Sequence, residues 1–102
     1  MTAHGFNEDA AFEQMAQRRI DSATVEFYGS DGTGGAERVT LTFQGGRQEV
    51  YEDSGEFKYD TLLDNLSELP RAVDFSGDSV SGMFVIDSRE RTVTTADRPA
   101  ED

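Results

Sequence analysis

A chain of 102 residues with 21 acidic and nine basic side chains carries a formal net charge of −12 and a sequence pI near 4.3. That balance excludes the basic footprint needed for direct binding to nucleic acid or to an anionic membrane. The absence of cysteine and the presence of a single histidine, His4, remove disulfides, thiolate metal sites and Cys- or His-based nucleophilic catalysis.

Residues 1–5 read as a frayed lead-in, and Met1-Thr2-Ala3-His4-Gly5 lacks the basic region and apolar stretch of a leader. The first helix is predicted over Asn7–Ile20, with Asn7 as N-cap, Glu8 and Asp9 in the first turn, and Arg18 and Arg19 at the end, where each charge suits the helix dipole. Phe12, Met15, Ala16 and Ile20 recur at helical spacing and form its core-facing stripe. Alternation then predicts a strand over Ala23–Tyr28, with Ala23, Val25 and Phe27 inward. A second strand over Arg38–Gln44 places Val39, Leu41 and Phe43 inward. Between them, Gly29-Ser30-Asp31-Gly32-Thr33-Gly34-Gly35-Ala36 reads as a loop. Gly45-Gly46 supplies a tight hairpin into a third strand, Arg47–Tyr51.

After a break at Glu52-Asp53-Ser54-Gly55, Leu62, Leu63, Leu66 and Leu69 mark a second helix from Asp60 or Thr61 to Leu69, stopped by Pro70. Asp74–Gly82 reads as a polar loop, Met83–Asp87 as a strand, Ser88–Arg91 as a turn and Thr92–Thr95 as a return strand, with 97–102 frayed. The prediction is one α+β domain over 1–102: an antiparallel sheet of about five strands in the order α-β-β-β-α-β-β, with two helices on one face and a polar, Thr-rich face left open. Seven Phe and three Tyr allow a compact core from an apolar fraction of only 35%. No apolar run reaches the ~18 residues that cross a bilayer, and the expected location is the cytoplasm.

The segments Val25-Glu26-Phe27-Tyr28-Gly29-Ser30-Asp31-Gly32 and Gly82-Met83-Phe84-Val85-Ile86-Asp87, with Arg91-Thr92-Val93-Thr94 after the Leu-bearing helix, resemble a family of small uncharacterised proteins from bacterial chromosomes and mobile elements. The resemblance is a pattern of elements over roughly residues 23–95. It implies a fold and a mobile-element context and carries over no functional residues.

Candidate chemistry is sparse. The Gly29–Gly35 segment has the glycines of a phosphate-cradling loop, but no helix begins after Gly35 and no Gly-Lys-Ser/Thr follows. Asp31 and Glu37 offer oxygen donors to calcium without the spacing of an EF-hand, and a plain hairpin loop accounts for the same residues. Asp87, which ends an apolar run, is the nearest approach to a buried carboxylate, and an Asp bonding the turn that follows explains it as well. No catalytic, metal or cofactor residue is assigned, and the chain is read as a non-enzyme.

Charge carries the functional expectation. From Glu49 to Asp87 ten acids stand against Lys58 and Arg71, which leaves −8, two-thirds of the net charge. Asp60, Asp64 and Glu68 are four apart and would form one helical stripe rising about 6 Å per step, comparable to phosphate spacing along a strand. Glu52, Asp53, Glu56, Asp60, Asp64 and Glu68 are therefore the candidate partner-binding residues. The expected partner is a basic protein surface, such as that of a host nucleic-acid-binding complex. The chain would then be an inhibitor or nucleic-acid mimic of the anti-CRISPR or anti-restriction kind, given the mobile-element context. The alternative is a structural or accessory protein of a mobile element, monomeric or homodimeric, that pairs through its sheet. Solubility, or a salty habitat, explains the same acidity without a partner.

Overall fold

Alternating apolar residues in the first half of the chain build a sheet, and the remaining elements are placed by what that sheet must cover. The computed structural model describes residues 6–52, 54–73, 75–76 and 79–96, with only the backbone of Ser54, Glu56 and Ala72. The stretches expected to fray, 1–5 and 97–102, lie outside the described residues, as do His4, Asp53, Asp74 and Asp78. In chain order the elements are α1 (Glu8–Gln17), β1 (Ile20–Ser30), β2 (Thr33–Phe43), β3 (Gln48–Tyr51), a single turn α2 (Ser54–Phe57), α3 (Thr61–Ser67), a 3₁₀ turn (Leu69–Ala72), β4 (Val80–Asp87) and β5 (Thr92–Ala96). The five strands are antiparallel in the order β3-β2-β1-β4-β5, and the α+β class and element order agree with the sequence.

Helix α1 starts as predicted, with the Asn7 Oδ1 accepting from the Ala10 amide at 3.0 Å and Glu8 and Asp9 in the first turn. It ends three residues earlier than the periodicity implied. Arg19 takes a φ of 59°, and Ile20 leaves the helix to open β1 opposite Phe43. The core face of α1 is consequently Ala11, Phe12 and Met15; Ala16 is exposed, and Ile20 is buried as part of the sheet.

All six inward strand residues predicted for β1 and β2 are buried. The glycine-rich stretch between them is mostly strand. Only Asp31 and Gly32 turn, with φ of 56° and 88°, the positive angles of a two-residue hairpin whose twist suits the flanking strands. Gly29 and Gly34 make room for Phe75, since a Cβ on Gly34 would fall 2.7 Å from the ring's Cδ1, and the Gly32 amide donates to the Phe75 carbonyl at 2.7 Å. Phe75 lies in a segment that reads as polar loop, yet it is buried and meets Phe27 edge-on with ring centroids 6.1 Å apart. Phe84 also packs against Phe27, with ring centroids 5.4 Å apart.

The second helical segment divides in two. Leu62, Leu63 and Leu66 are buried beneath α3, which ends at Ser67, and Leu69 and Pro70 continue as the 3₁₀ turn. The Asn65 side chain clamps this helix to the start of α1, accepting from the Asn7 amide at 2.8 Å and donating to the Asn7 carbonyl at 2.7 Å. Buried residues of α1, α3 and the helix-facing side of the sheet form one cluster. Each large apolar side chain in it stabilises the fold by roughly 1.5–3 kcal/mol relative to exposure.

The opposite sheet face carries no helix among the described residues. Cross-strand pairing aligns one row as Val50, Thr40, Thr24, Val85 and Thr94, and a second as Arg38, Glu26, Met83 and Ala96. No helix among the described residues is long and apolar enough to cross a membrane.

Candidate partner-binding surface

The acidic residues singled out from the sequence separate into those that hold the fold and those that face outward. Asp60 belongs to the first group. As N-cap of α3 its Oδ1 accepts from the amides of Leu62 at 2.9 Å and Leu63 at 3.3 Å, satisfying donors that the first helical turn leaves unpaired. The same carboxylate receives the Arg18 Nη1 at 3.1 Å, which ties the end of α1 to the start of α3. Glu68 is paired with Arg71 Nε at 2.7 Å. Glu52 is an exposed partner of Arg38, whose Nε lies 3.7 Å away.

Asp64 stands alone in the stripe: it is exposed, and among the described residues no cation lies within ion-pair distance of it. The side chain of Glu56 and all of Asp53 lie outside what the structure describes. Internal pairing thus leaves less free charge along Asp60, Asp64 and Glu68 than a helical projection suggests. Surface pairs of this kind contribute about 0–1 kcal/mol each, so their carboxylates can still exchange partners.

Two concave regions lie along α3, one of them lined by Asp64. On the α1 side a groove of about 420 Å³ is lined by Asn7, Gln14, Thr61, Asp64, Asn65 and Glu68, among others. Its amides are committed to joining the two helices, with Gln14 Nε2 donating to Thr61 Oγ1 at 3.0 Å. On the β3 side a cleft of about 360 Å³ lies between Tyr51, Tyr59, Asp60 and Leu63. Tyr59 is 81% exposed, the most exposed large side chain among the described apolar and aromatic residues. Lys58 Nζ sits 5.3 Å from its ring centroid. An aromatic wall, an apolar floor at Leu63 and a carboxylate at Asp60 therefore meet within the segment that carries most of the negative charge.

The far wall is fixed by hydrogen bonding on β3. Tyr51 donates to Glu49 Oε1 at 2.7 Å, and Arg47 Nη1 reaches Glu49 Oε2 at 2.7 Å. The Tyr51 hydroxyl holds the Glu49 carboxyl below its ordinary range, with Arg47 adding to the effect against partial burial. Reciprocally, the bond to Glu49, followed by burial, raises the Tyr51 phenol above 10.0. A tyrosine held in this way presents a ring of fixed orientation to the cleft.

The remaining sequence candidates are dispersed. Asp31 is in the hairpin turn, while Glu37 is the extra residue of a bulge opposite Glu26 and Phe27, roughly 10 Å or more along β2. Among the described residues no three of His, Asp or Glu converge as a metal site. Asp87 bonds the following turn, its Oδ1 accepting from the Arg89 and Glu90 amides at 2.9 and 3.0 Å. The exposed Tyr59 and its cleft were not singled out from the sequence. The available signal was an aromatic between Lys58 and Asp60, outside the Leu periodicity of α3. Comparisons with protein-family models, curated proteins and solved structures return no match to this chain.

Proposed function

We propose that this chain is a binding protein without catalytic activity, which presents the Tyr59 cleft and its acidic surround to a basic surface of another protein. The observation that carries the reading is Tyr59 itself, 81% exposed at the wall of an apolar cleft in the most acidic third of the chain. Leaving that ring in water forgoes a burial worth roughly 1.5–3 kcal/mol, a gain that a partner can recover. Tyrosines in such settings act as interface anchors, since they bring large contact area at little entropic cost. Asp60 in the cleft and Asp64 one turn along α3 supply negative charge beside the anchor, speeding encounter with a positive surface.

A basic groove of this kind ordinarily accommodates nucleic acid. Occupying it would make the chain an inhibitor by exclusion, a charge mimic of the nucleic acid it displaces, with anti-CRISPR and anti-restriction factors as instances of the class. Affinity capture from native lysate, with the wild-type chain and Tyr59→Ala side by side, tests the proposal. The expected result is a partner with a basic nucleic-acid-binding surface, retained at low salt, released at high salt and lost with Tyr59→Ala. A partner without a basic surface, or retention indifferent to both salt and Tyr59, contradicts it.

A further inference from the structure

Strand β5 closes one side of the sheet, and its chemistry differs from that of the opposite edge. β3 presents Glu49 with Arg47 beside it, whereas β5 reads Thr92-Val93-Thr94-Thr95-Ala96, four of its five residues β-branched and none charged. It contains no Pro, Gly or Lys, the usual devices that keep an edge from pairing. β4 pairs with its inner side along all five residues, and no element among the described residues lies on its outer side. In an antiparallel ladder every second residue of such an edge directs its amide and carbonyl outward.

The charge around this edge also sums to zero. Over residues 80–96 Arg89 and Arg91 balance Asp87 and Glu90, in a chain whose net charge is −12. Two copies meeting here bring together uncharged strands, each preceded by a balanced turn and followed in sequence by Asp97 and Arg98, which also balance.

We propose that the chain forms a two-fold homodimer by antiparallel pairing of β5 with β5 of a second copy, giving a continuous sheet of ten strands. An axis through Thr94 sets Thr94 opposite its own equivalent, Thr92 opposite Ala96 and Val93 opposite Thr95. No charge opposes a like charge, and β-branched pairs are favourable cross-strand neighbours. The interface is self-complementary, as two-fold symmetry requires. An axis perpendicular to the sheet keeps the helices of both copies on one side. It also doubles the uncharged row Val50, Thr40, Thr24, Val85, Thr94 across the open face. The Tyr59 cleft lies against β3, at the other end of the sheet, so each copy keeps its cleft free and the dimer carries two of them.

Sedimentation equilibrium of the full chain tests this, at concentrations from about 10 μM to about 1 mM and in both low salt and about 1 M salt. Because two chains of like sign must approach, the dimer fraction is expected to rise with salt, opposite in sign to the partner binding proposed above. Thr94→Glu, which places a carboxylate on the two-fold axis, is expected to be monomeric throughout. Val50→Glu, the same change in the same row at the opposite edge, is expected to dimerise like the wild type. Both positions are exposed, and matching far-UV spectra establish that both variants fold. A wild-type chain that stays monomeric at the highest concentration in high salt overturns the proposal, as does a dimer that survives Thr94→Glu.

Discussion

Glu26 on β1 and Arg38 on β2 are direct cross-strand partners in the middle of the open sheet face, with Arg38 Nη1 3.3 Å from Glu26 Oε2. Glu26 is 7% exposed, which makes it the one charged residue buried among the described residues. A carboxylate so placed depends on its guanidinium, because desolvation without compensation is costly.

Truncating Arg38 should therefore cost more than truncating Glu26. Arg38 keeps about a third of its side chain in solvent, so screening reduces the loss for Arg38→Ala to roughly 1–3 kcal/mol. Replacing both residues with Thr, to match the neighbouring Thr40–Thr24 pair, is expected to cost less than the sum of the single changes. Urea denaturation of the two single variants and the double variant checks this.

Gly34 and Gly35 are adjacent in β2 and should respond oppositely to Ala. A Cβ on Gly34 meets the Phe75 ring, so Gly34→Ala should destabilise by about 1–3 kcal/mol. A Cβ on Gly35 meets nothing within 4 Å and its φ is not positive, so Gly35→Ala should lie between neutral and about 1 kcal/mol stabilising. Thermal unfolding distinguishes them.

That contrast also shows where the sequence stopped being legible. Period-two alternation identified the inward residues of β1 and β2, because one face of the sheet is buried and the other is not. The four glycines from Gly29 to Gly35 looked like loop because a missing side chain has two readings, freedom of the backbone or room for a neighbour. At Gly29 and Gly34 the neighbour is Phe75, more than 40 residues away in sequence, and no local pattern announces it. The acidic stripe was similarly visible as spacing, whereas the use of Asp60 as both cap and Arg18 partner depends on where α1 ends. That point is set by the left-handed Arg19, and nothing in the helical periodicity marked it.

Asp60 and Asp64 should consequently separate stability from binding. Asp60→Ala removes the cap and strands Arg18, for a loss of about 1–2 kcal/mol, while Asp60→Asn retains a capping oxygen and should lose less. Asp64→Asn should leave stability within about 0.5 kcal/mol and weaken partner binding, most clearly at low salt. Chemical denaturation and a binding titration on each variant check both halves.

The Tyr51–Glu49 bond predicts a stability contribution bounded on two sides. Glu49 has its pKa depressed by folding, so its contribution is present above 4.5 and is lost as pH falls through the lower folded value. Tyr51 has its pKa raised, so its contribution is present below 10.0 and is lost as pH rises through the higher folded value. Tyr51→Phe should lower the melting temperature at neutral pH, and its difference from wild type should shrink in acid below that carboxylate range. A pH series of melting curves tests the sign.

The claim on which the functional account depends is that the surface from Tyr51 to Asp64 contacts the partner. Hydrogen exchange on the complex, compared with the free chain, measures this most directly. The predicted result is new protection concentrated at the amides of Tyr51, Tyr59 and the first turn of α3, with β5 unchanged at matched dimer fraction. Protection confined to β5 or to the open sheet face, with the Tyr59 region exchanging as in the free chain, would contradict the account.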